Sequence, residues 1–296
     1  MAPYLNLRNI GSGMAEEEET CLTVVPDRDS VLGRFGDRLP AADPSKVPVW
    51  RMNEAQIGWL LGTGSFASVH AVTNKSHSEQ EATENSDVQE HTNSAQDSKY
   101  KYCEFATNNK FALKRLRKDV VQDYQLCKAA VVDLLFEFEV LSRLPPHRNV
   151  IRLIARSENF LAEPEKGFLV VEQLQDTLKR RLSDWARISE NTNKSPSSPF
   201  SSLLLLSSKR SKKLRETQQK RIQGAARGIA EGLKFLHSQK IVFRDLKPDN
   251  VAFAVDGTVK LLDFGLARPF DQAAEDQDRK LTGNAGTLRY MAPGKF

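Results

Sequence analysis

Two acids, a lysine and an amide fall within six residues in Asp245-Leu246-Lys247-Pro248-Asp249-Asn250, and thirteen residues after Asn250 comes Asp263-Phe264-Gly265. An Asp and an Asn on neighbouring loops offer hard oxygen ligands, which suit Mg²⁺ bridging phosphates. With Asn250 and Asp263 in that role, Asp245 is free to orient a hydroxyl nucleophile and accept its proton. Lys247 can neutralise charge on a transferring phosphoryl group. Each motif alone is also ordinary turn chemistry; their order along the chain is what points to phosphoryl transfer.

Two further segments fit that chemistry. Gly62-Thr63-Gly64-Ser65-Phe66-Ala67-Ser68-Val69 is a glycine-rich turn between two strand patterns, 57–61 and 67–72. Without a Cβ, glycine lets backbone N–H groups approach phosphate oxygens. A dinucleotide-binding turn would be followed by a helix, and a strand pattern follows here, which argues against that reading. Phe111-Ala112-Leu113-Lys114 sets a lysine on an otherwise apolar strand. An ammonium desolvated there needs a counter-charge. Glu137 and Glu139, both on the next helical pattern, are the candidates. Glu137 shares the apolar face with Leu141, while Glu139 is rotated by about 200° from it, so Glu137 is favoured.

The elements that must hold these residues follow from periodicity. Lys110–Arg115, Val150–Ile154 and Phe168–Glu172 read as strands, and short strands recur near Val251–Ala254 and Val259–Leu262. Val120–Leu144 reads as one helix with Leu134, Leu135, Phe138, Leu141 and Leu144 on one face, stopped by Pro145-Pro146. Glu216–His237 reads as a second helix with Ile222, Ala226, Ile229, Leu233 and Leu236 on one stripe. Residues 1–50, with the acidic run Glu16–Glu19, read as a disordered tail. Residues 75–98 hold six acids against one Lys and a single large aliphatic, too little apolar surface to order a segment. Residues 189–215 are Ser-rich and end in a basic cluster, Lys209, Arg210, Lys212, Lys213 and Arg215. They read as a second disordered insertion with a solvated basic end, the alternative being a patch for nuclear import or an acidic partner.

Composition removes other classes. The 296 residues are 40% hydrophobic with a net charge of +5 and three cysteines. The longest apolar run, Leu203–Leu206, is far short of the ~18 residues of a membrane span. No signal-peptide pattern opens the chain. Three scattered cysteines make no disulfide framework or zinc spacing. The charge alternates along the chain instead of concentrating on a basic face, so nucleic acid is not an expected partner. The cytoplasm, with the nucleus as the other reducing compartment, is the expected location.

In this order of motifs the sequence resembles the eukaryotic protein kinase family, from about Gln56 to Pro293. Gly62–Val69 matches the glycine loop, Ala112-Leu113-Lys114 the nucleotide-binding lysine strand and Glu137 its helix partner. Phe243-Arg244-Asp245-Leu246-Lys247-Pro248-Asp249-Asn250 matches the catalytic loop, Asp263-Phe264-Gly265 the metal-binding motif, and Gly286–Pro293 the close of the activation segment. The resemblance implies an α+β bilobal fold. A small antiparallel β lobe with one main helix would span about 51–172, and a mainly helical, incomplete large lobe 173–296. It implies ATP and Mg²⁺ as cofactors, with Asp245 as base, Asn250 and Asp263 as metal ligands, and Lys114 on the α/β-phosphates braced by Glu137. Gly62, Gly64, Ser65, Val69, Ala112, Glu172 and Ala252 would surround the nucleotide. Lys247 with Gly286-Thr287 resembles the Ser/Thr-directed branch, so the implied partner is a protein hydroxyl. Thr287 would contact Asp245 and Lys247, and Thr282 would be the site for an upstream activating kinase.

The departures carry their own expectations. Phe243 replaces the usual His and keeps an aromatic contact with Phe264, within a column that includes Leu141 and Leu153. Val171 at the gatekeeper position and Ala252 under the adenine are both small, which predicts a roomy nucleotide pocket. The chain ends at Met291-Ala292-Pro293-Gly294-Lys295-Phe296, where the family continues into further helices. The alternative expectation is therefore a catalytically impaired truncated fragment acting as a binding module.

Overall fold

The computed structural model describes residue 39 and residues 43–75, 110–158, 160, 163–164, 166–193, 201–270 and 285–292. All of the acidic insertion 75–98 but Lys75, Thr282 and most of the N-terminal 50 residues lie outside the described residues.

Strand alternation explains how the lysine strand works. Strands β1 (Val49–Trp50), β2 (Ala55–Thr63), β3 (Ala67–Asn74), β4 (Phe111–Leu116), β5 (Leu153–Ser157) and β6 (Phe168–Glu172) form one sheet in the order β1-β5-β6-β4-β3-β2. All neighbours are antiparallel except β1 with β5. Side chains alternate across a pleated strand. Phe111 and Leu113 of β4 join Phe168 and Val170 of β6 on one face, in a core with Trp50. Ala112 and Leu116, with Leu169 and Val171, face the other core, which contains the main helix. Lys114 has the parity of Ala112, so its ammonium stem rises on the helix side.

That helix comes in two pieces. The single helix expected over 120–144 is instead α1 (Lys118–Gln122) and α2 (Tyr124–Arg143). Asp123 separates them: its backbone is extended, and its carboxylate accepts from Leu126 N–H at 2.9 Å. A capping Asp satisfies an otherwise orphan amide, and so starts a new helix within a continuous hydrophobic pattern. The buried side of α2 carries Cys127, Ala130, Val131, Leu134, Phe138 and Leu141.

The expected disordered tail meets structure at its end. Asp43 caps a 3₁₀ turn, accepting from Ser45 N–H at 2.9 Å. Val47 is buried, and Val49 pairs with Arg156. Trp50 packs edge-on against Phe111 with ring centroids 5.5 Å apart. Three apolar residues are too few to register as a period, so this strand is visible only through its partners.

The larger lobe is built on α3 (Leu178–Asn193) and α4 (Ser201–Ser238). Helix thus occupies 189–193 and 201–215, where a disordered insertion was expected. The Ser and basic residues there sit on continuations of two long helices. Among the described residues no helix is long and apolar enough to cross a membrane. Strands β7 (Asp176–Thr177), β9 (Val251–Phe253) and β10 (Val259–Leu261) make a small antiparallel sheet, and β8 (Ile241–Val242) pairs with β11 (Arg268–Pro269). The turn after α2 ties the lobes: Leu261 N–H donates to Asn149 O and Ile151 N–H donates to Leu261 O, both at 2.9 Å.

Gly228 and Gly232 bring α4 against β10. A Cβ at Gly232 would lie 2.9 Å from Asn149 O and 3.0 Å from Leu261 Cδ1. Gly232→Val is expected to destabilise the protein by about 1–3 kcal/mol through overpacking, read as a lower urea midpoint at unchanged slope.

Candidate active site

Three elements converge on Lys114. Its Nζ lies 2.5 Å from Glu137 Oε2 of α2 and 3.1 Å from Asp263 Oδ1, in the turn after β10. Burial alone would lower the lysine pKa; the Asp263 and Glu137 carboxylates reverse this and raise it. Burial pushes Glu137 up, with Lys114 opposing. Lys114 holds Asp263 down. Glu139, the rival partner, is fully buried and pairs with Arg143 at 3.1 Å. Helical phase thus separates the two glutamates as expected.

A second network surrounds Asp245. Its Oδ2 accepts from Lys247 Nζ at 2.6 Å and from Asn250 Nδ2 at 2.9 Å, while Oδ1 accepts from Thr287 Oγ1 at 2.7 Å. Lys247 Nζ also donates to Thr287 Oγ1 at 3.1 Å. Asn250 Nδ2 donates a further bond to Asp245 O at 3.0 Å. Asp245 is therefore fixed in orientation on both oxygens while Lys247 neutralises it.

The backbone reaches this arrangement through left-handed residues. Arg244 has φ +68° and Asp263 φ +69°. Such conformations cost energy in L-residues and persist where surroundings over-determine them. Phe264 supplies that constraint beside Asp263: it is fully buried and meets Phe243 edge-on at 5.1 Å. Leu141 and Leu153 belong to the same core cluster as these two rings. Gly286 has φ +121°, and a Cβ there would sit 2.8 Å from Arg244 O. Only glycine lets the Thr287 segment come this close to the Arg244–Asn250 loop.

The remaining expected residues lie on β2, β3, β4, β6 and β9 and in the β2–β3 turn. Gly62 and Gly64 end β2 and open its turn; a Cβ on Gly62 would meet nothing within 4 Å, so the turn is open to a ligand. Ser65 follows in the same turn. Val69 pairs with Lys114, and Ala112 with Val171. Ala252 is buried in β9. Glu172 differs from a simple binding residue, because its carboxylate is committed to Lys260 Nζ at 2.7 Å and Arg152 N–H at 2.8 Å. Its main-chain N–H is taken as well, donating to Arg152 O at 3.1 Å.

The donor set fits a phosphate-bound divalent cation. Asn250 spends Nδ2 on Asp245, which leaves the amide oxygen for a metal. The Asp263 side chain is nearly half exposed despite its lysine partner. Among the described residues there is no group of three or more His, Cys, Asp or Glu that could hold a metal alone. A two-ligand site completed by substrate phosphates is the arrangement Mg²⁺ favours.

The family model for the protein kinase domain matches residues 95–295. Eukaryotic translation initiation factor 2-alpha kinase 3 of Bos taurus is 45% identical over 73 residues, covering 22% of this chain and 6% of the relative. Cyclin-dependent kinase 9-A of Xenopus laevis is 45% identical over 65 residues, 22% of this chain and 17% of the relative. Ribosomal protein S6 kinase 2 beta of Xenopus laevis is 45% identical over 65 residues, 22% and 10% respectively. The matched stretches thus span from 6% to 17% of these relatives' lengths.

Two neighbours of the site went unnoticed in the sequence. Asp133 lies one turn before Glu137 on α2, and a Cβ on Gly265 would approach the Asp133 Cβ at 3.1 Å. Arg268 stacks on Phe136 at 3.5 Å and donates to Gly265 O at 2.6 Å. The signal for Asp133 was its i, i+4 spacing from Glu137, an acid on a buried face. Burial, reinforced by Asp263, pushes Asp133 up to about 6, with Arg268 opposing. A carboxyl raised in the folded state binds more protons than its unfolded counterpart between pH ~4 and ~6, so folding weakens as pH rises through that window. Asp133→Asn, compared in metal-free buffer, is expected to be more stable than wild type by about 1–3 kcal/mol at pH 7. The difference should vanish by pH ~4, read from paired denaturant titrations.

Proposed function

Because this chain belongs to the protein kinase domain family, we propose that it transfers the γ-phosphoryl group of ATP to serine or threonine hydroxyls of proteins. The observation that carries this reading is the closed network of Asp245, Lys247, Asn250 and Thr287 beside the Lys114–Glu137–Asp263 cluster. Asp245 Oδ orients the incoming hydroxyl and takes its proton. The hydroxyl oxygen bonds to the γ-phosphorus, the bond from that phosphorus to the β-phosphate oxygen breaks, and ADP leaves. Lys247 offsets negative charge on the phosphoryl oxygens in flight. Lys114 has three N–H donors; Glu137 and Asp263 take two, and one remains for a phosphate oxygen. Mg²⁺, held by Asn250 and Asp263, would neutralise and orient the phosphates.

The Ser/Thr assignment rests on Lys247 standing two residues after Asp245 and bridging to Thr287. Val171 and Ala252, both small and buried, support a nucleotide pocket with spare room near the base.

Asp245→Asn is expected to lower turnover by about 10²–10⁴-fold, because the amide cannot accept the proton, while nucleotide affinity stays near wild type. Wild-type turnover in that variant would sink the mechanism. Acid hydrolysis of labelled product should give phosphoserine or phosphothreonine; phosphotyrosine alone would overturn the Ser/Thr assignment. Bulky N6-substituted ATP analogues should be accepted, and complete exclusion of them would remove the roomy-pocket reading.

A further inference from the structure

Consecutive carbonyls of the glycine-rich turn converge on a single residue. Arg117 Nη1 donates to Gly64 O at 3.2 Å and to Ser65 O at 3.4 Å, and Arg117 N–H donates to Phe66 O at 2.9 Å. The other edge of the guanidinium is held from behind. Its Nε donates to Asp119 Oδ1 at 3.0 Å, and its Nη2 donates to Asp119 Oδ2. A guanidinium carries its five N–H donors in a rigid planar fork, so a carboxylate on one edge sets where the remaining nitrogen aims. Asp119 lies in the first turn of α1, which Arg117 O opens by accepting from Val120 and Val121 N–H at 3.1 and 3.0 Å. The turn is thereby tied to the end of the Lys114 strand and to the start of the helical unit that carries Glu137.

The direction of this grip follows from the backbone. Arg117 is extended (φ −74°, ψ 147°), so the alternation of β4 continues through it. Leu113, Arg115 and Arg117 leave from one face, and Ala112, Lys114 and Leu116 from the other. The C=O and N–H of a planar trans peptide point in opposite directions. Drawing the Gly64 and Ser65 carbonyls toward the Arg117 face turns the N–H groups of the same two peptides, those of Ser65 and Phe66, toward the Lys114 side. Neither amide donates to a protein acceptor among the described residues. Gly64 N–H donates to Ala67 O at 2.8 Å, which closes the base of the turn and leaves those two amides open.

We propose that Arg117, oriented by Asp119, is a positioning residue that aims the Ser65 and Phe66 N–H groups at the phosphates of the nucleotide. The inference rests on the reading of this chain as an ATP-dependent kinase. Arg117 acts from the far side of the turn and touches no phosphate. It removes a rotation of two peptides that binding would otherwise have to arrest. Base and ribose gain nothing from it, so the effect belongs to phosphate-bearing ligands. Attraction between the Arg117 charge and the phosphates is the competing account, and the two differ in sign. Asp119→Asn removes an anion beside the turn: attraction alone would tighten ATP binding, whereas lost orientation weakens it. Arg117→Lys keeps the charge but lacks the planar edge that Asp119 sets.

Calorimetric titration of the full chain with ATP–Mg²⁺ and with adenosine separates phosphates from base. Arg117→Met is expected to weaken ATP–Mg²⁺ about tenfold, the scale of one or two hydrogen bonds. Its adenosine affinity and melting temperature should match wild type. Arg117→Lys and Asp119→Asn should each weaken ATP–Mg²⁺ about threefold. Wild-type ATP affinity in Arg117→Met overturns the inference. An equal loss for adenosine overturns it in favour of a merely structural role. Tighter ATP binding by Asp119→Asn, with Arg117→Lys at wild-type affinity, overturns it in favour of charge attraction. A wild-type chain that binds ATP–Mg²⁺ no more tightly than adenosine overturns the underlying nucleotide reading, and the inference with it.

Discussion

A buried ammonium cannot stand alone, and the architecture around Lys114 follows from that. The strand that carries it is mostly buried and leaves the Lys114 side chain only 18% exposed, so the charge is largely desolvated. Two carboxylates must come to it, one from α2 and one from the turn after β10. Each brings its element with it. The helix packs on the sheet because Glu137 shares a face with Leu134 and Leu141. The β10 turn is held by Phe264 against Phe243. Small lobe, helix and large lobe therefore meet where one charge requires them to meet, and removing one partner of such a group is more damaging than replacing the whole set.

The second network follows a different logic. Asp245, Lys247, Asn250 and Thr287 are polar groups that satisfy one another within a few ångströms. What permits this is backbone shape: left-handed Arg244 and Asp263, and a glycine at 286 lying against the Arg244 carbonyl. Strain in the chain is exchanged for fixed side-chain geometry. That trade suits chemistry which depends on positioning more than on covalent participation.

Much of this was legible in the sequence, for identifiable reasons. A lone lysine on an apolar strand called for a counter-charge, and period-3.6 phase separated Glu137 from Glu139. The motif order fixed which acids belong to the site. Other features had no periodic signature. Residues 47–50 add only a short strand whose meaning depends on β5. The Ser-rich and basic stretch at 201–215 is helical as the first part of α4, a continuation that composition alone disguises. Asp133 and Arg268 acquire their neighbours through Gly265, where α2 approaches the turn after β10. The commitment of Glu172 to Lys260 also needed coordinates, because the two are far apart in the chain.

That last bond sets a mechanical asymmetry. Glu172 closes β6 where the chain passes between lobes, and Gln175 N–H holds Phe253 O at 2.8 Å just beyond it. Any rotation of one lobe about this connection pivots close to the Glu172–Lys260 pair and leaves it nearly unchanged. Lys114 is paired with Leu169, three residues back along β6, which is a lever arm of roughly 10 Å. A rotation of about 10° moves it by nearly 2 Å, enough to carry a 3.1 Å contact with Asp263 past hydrogen-bonding range. In such a rotation the Glu172–Lys260 pair would be the fixed point and the Lys114–Asp263 pair the contact that opens.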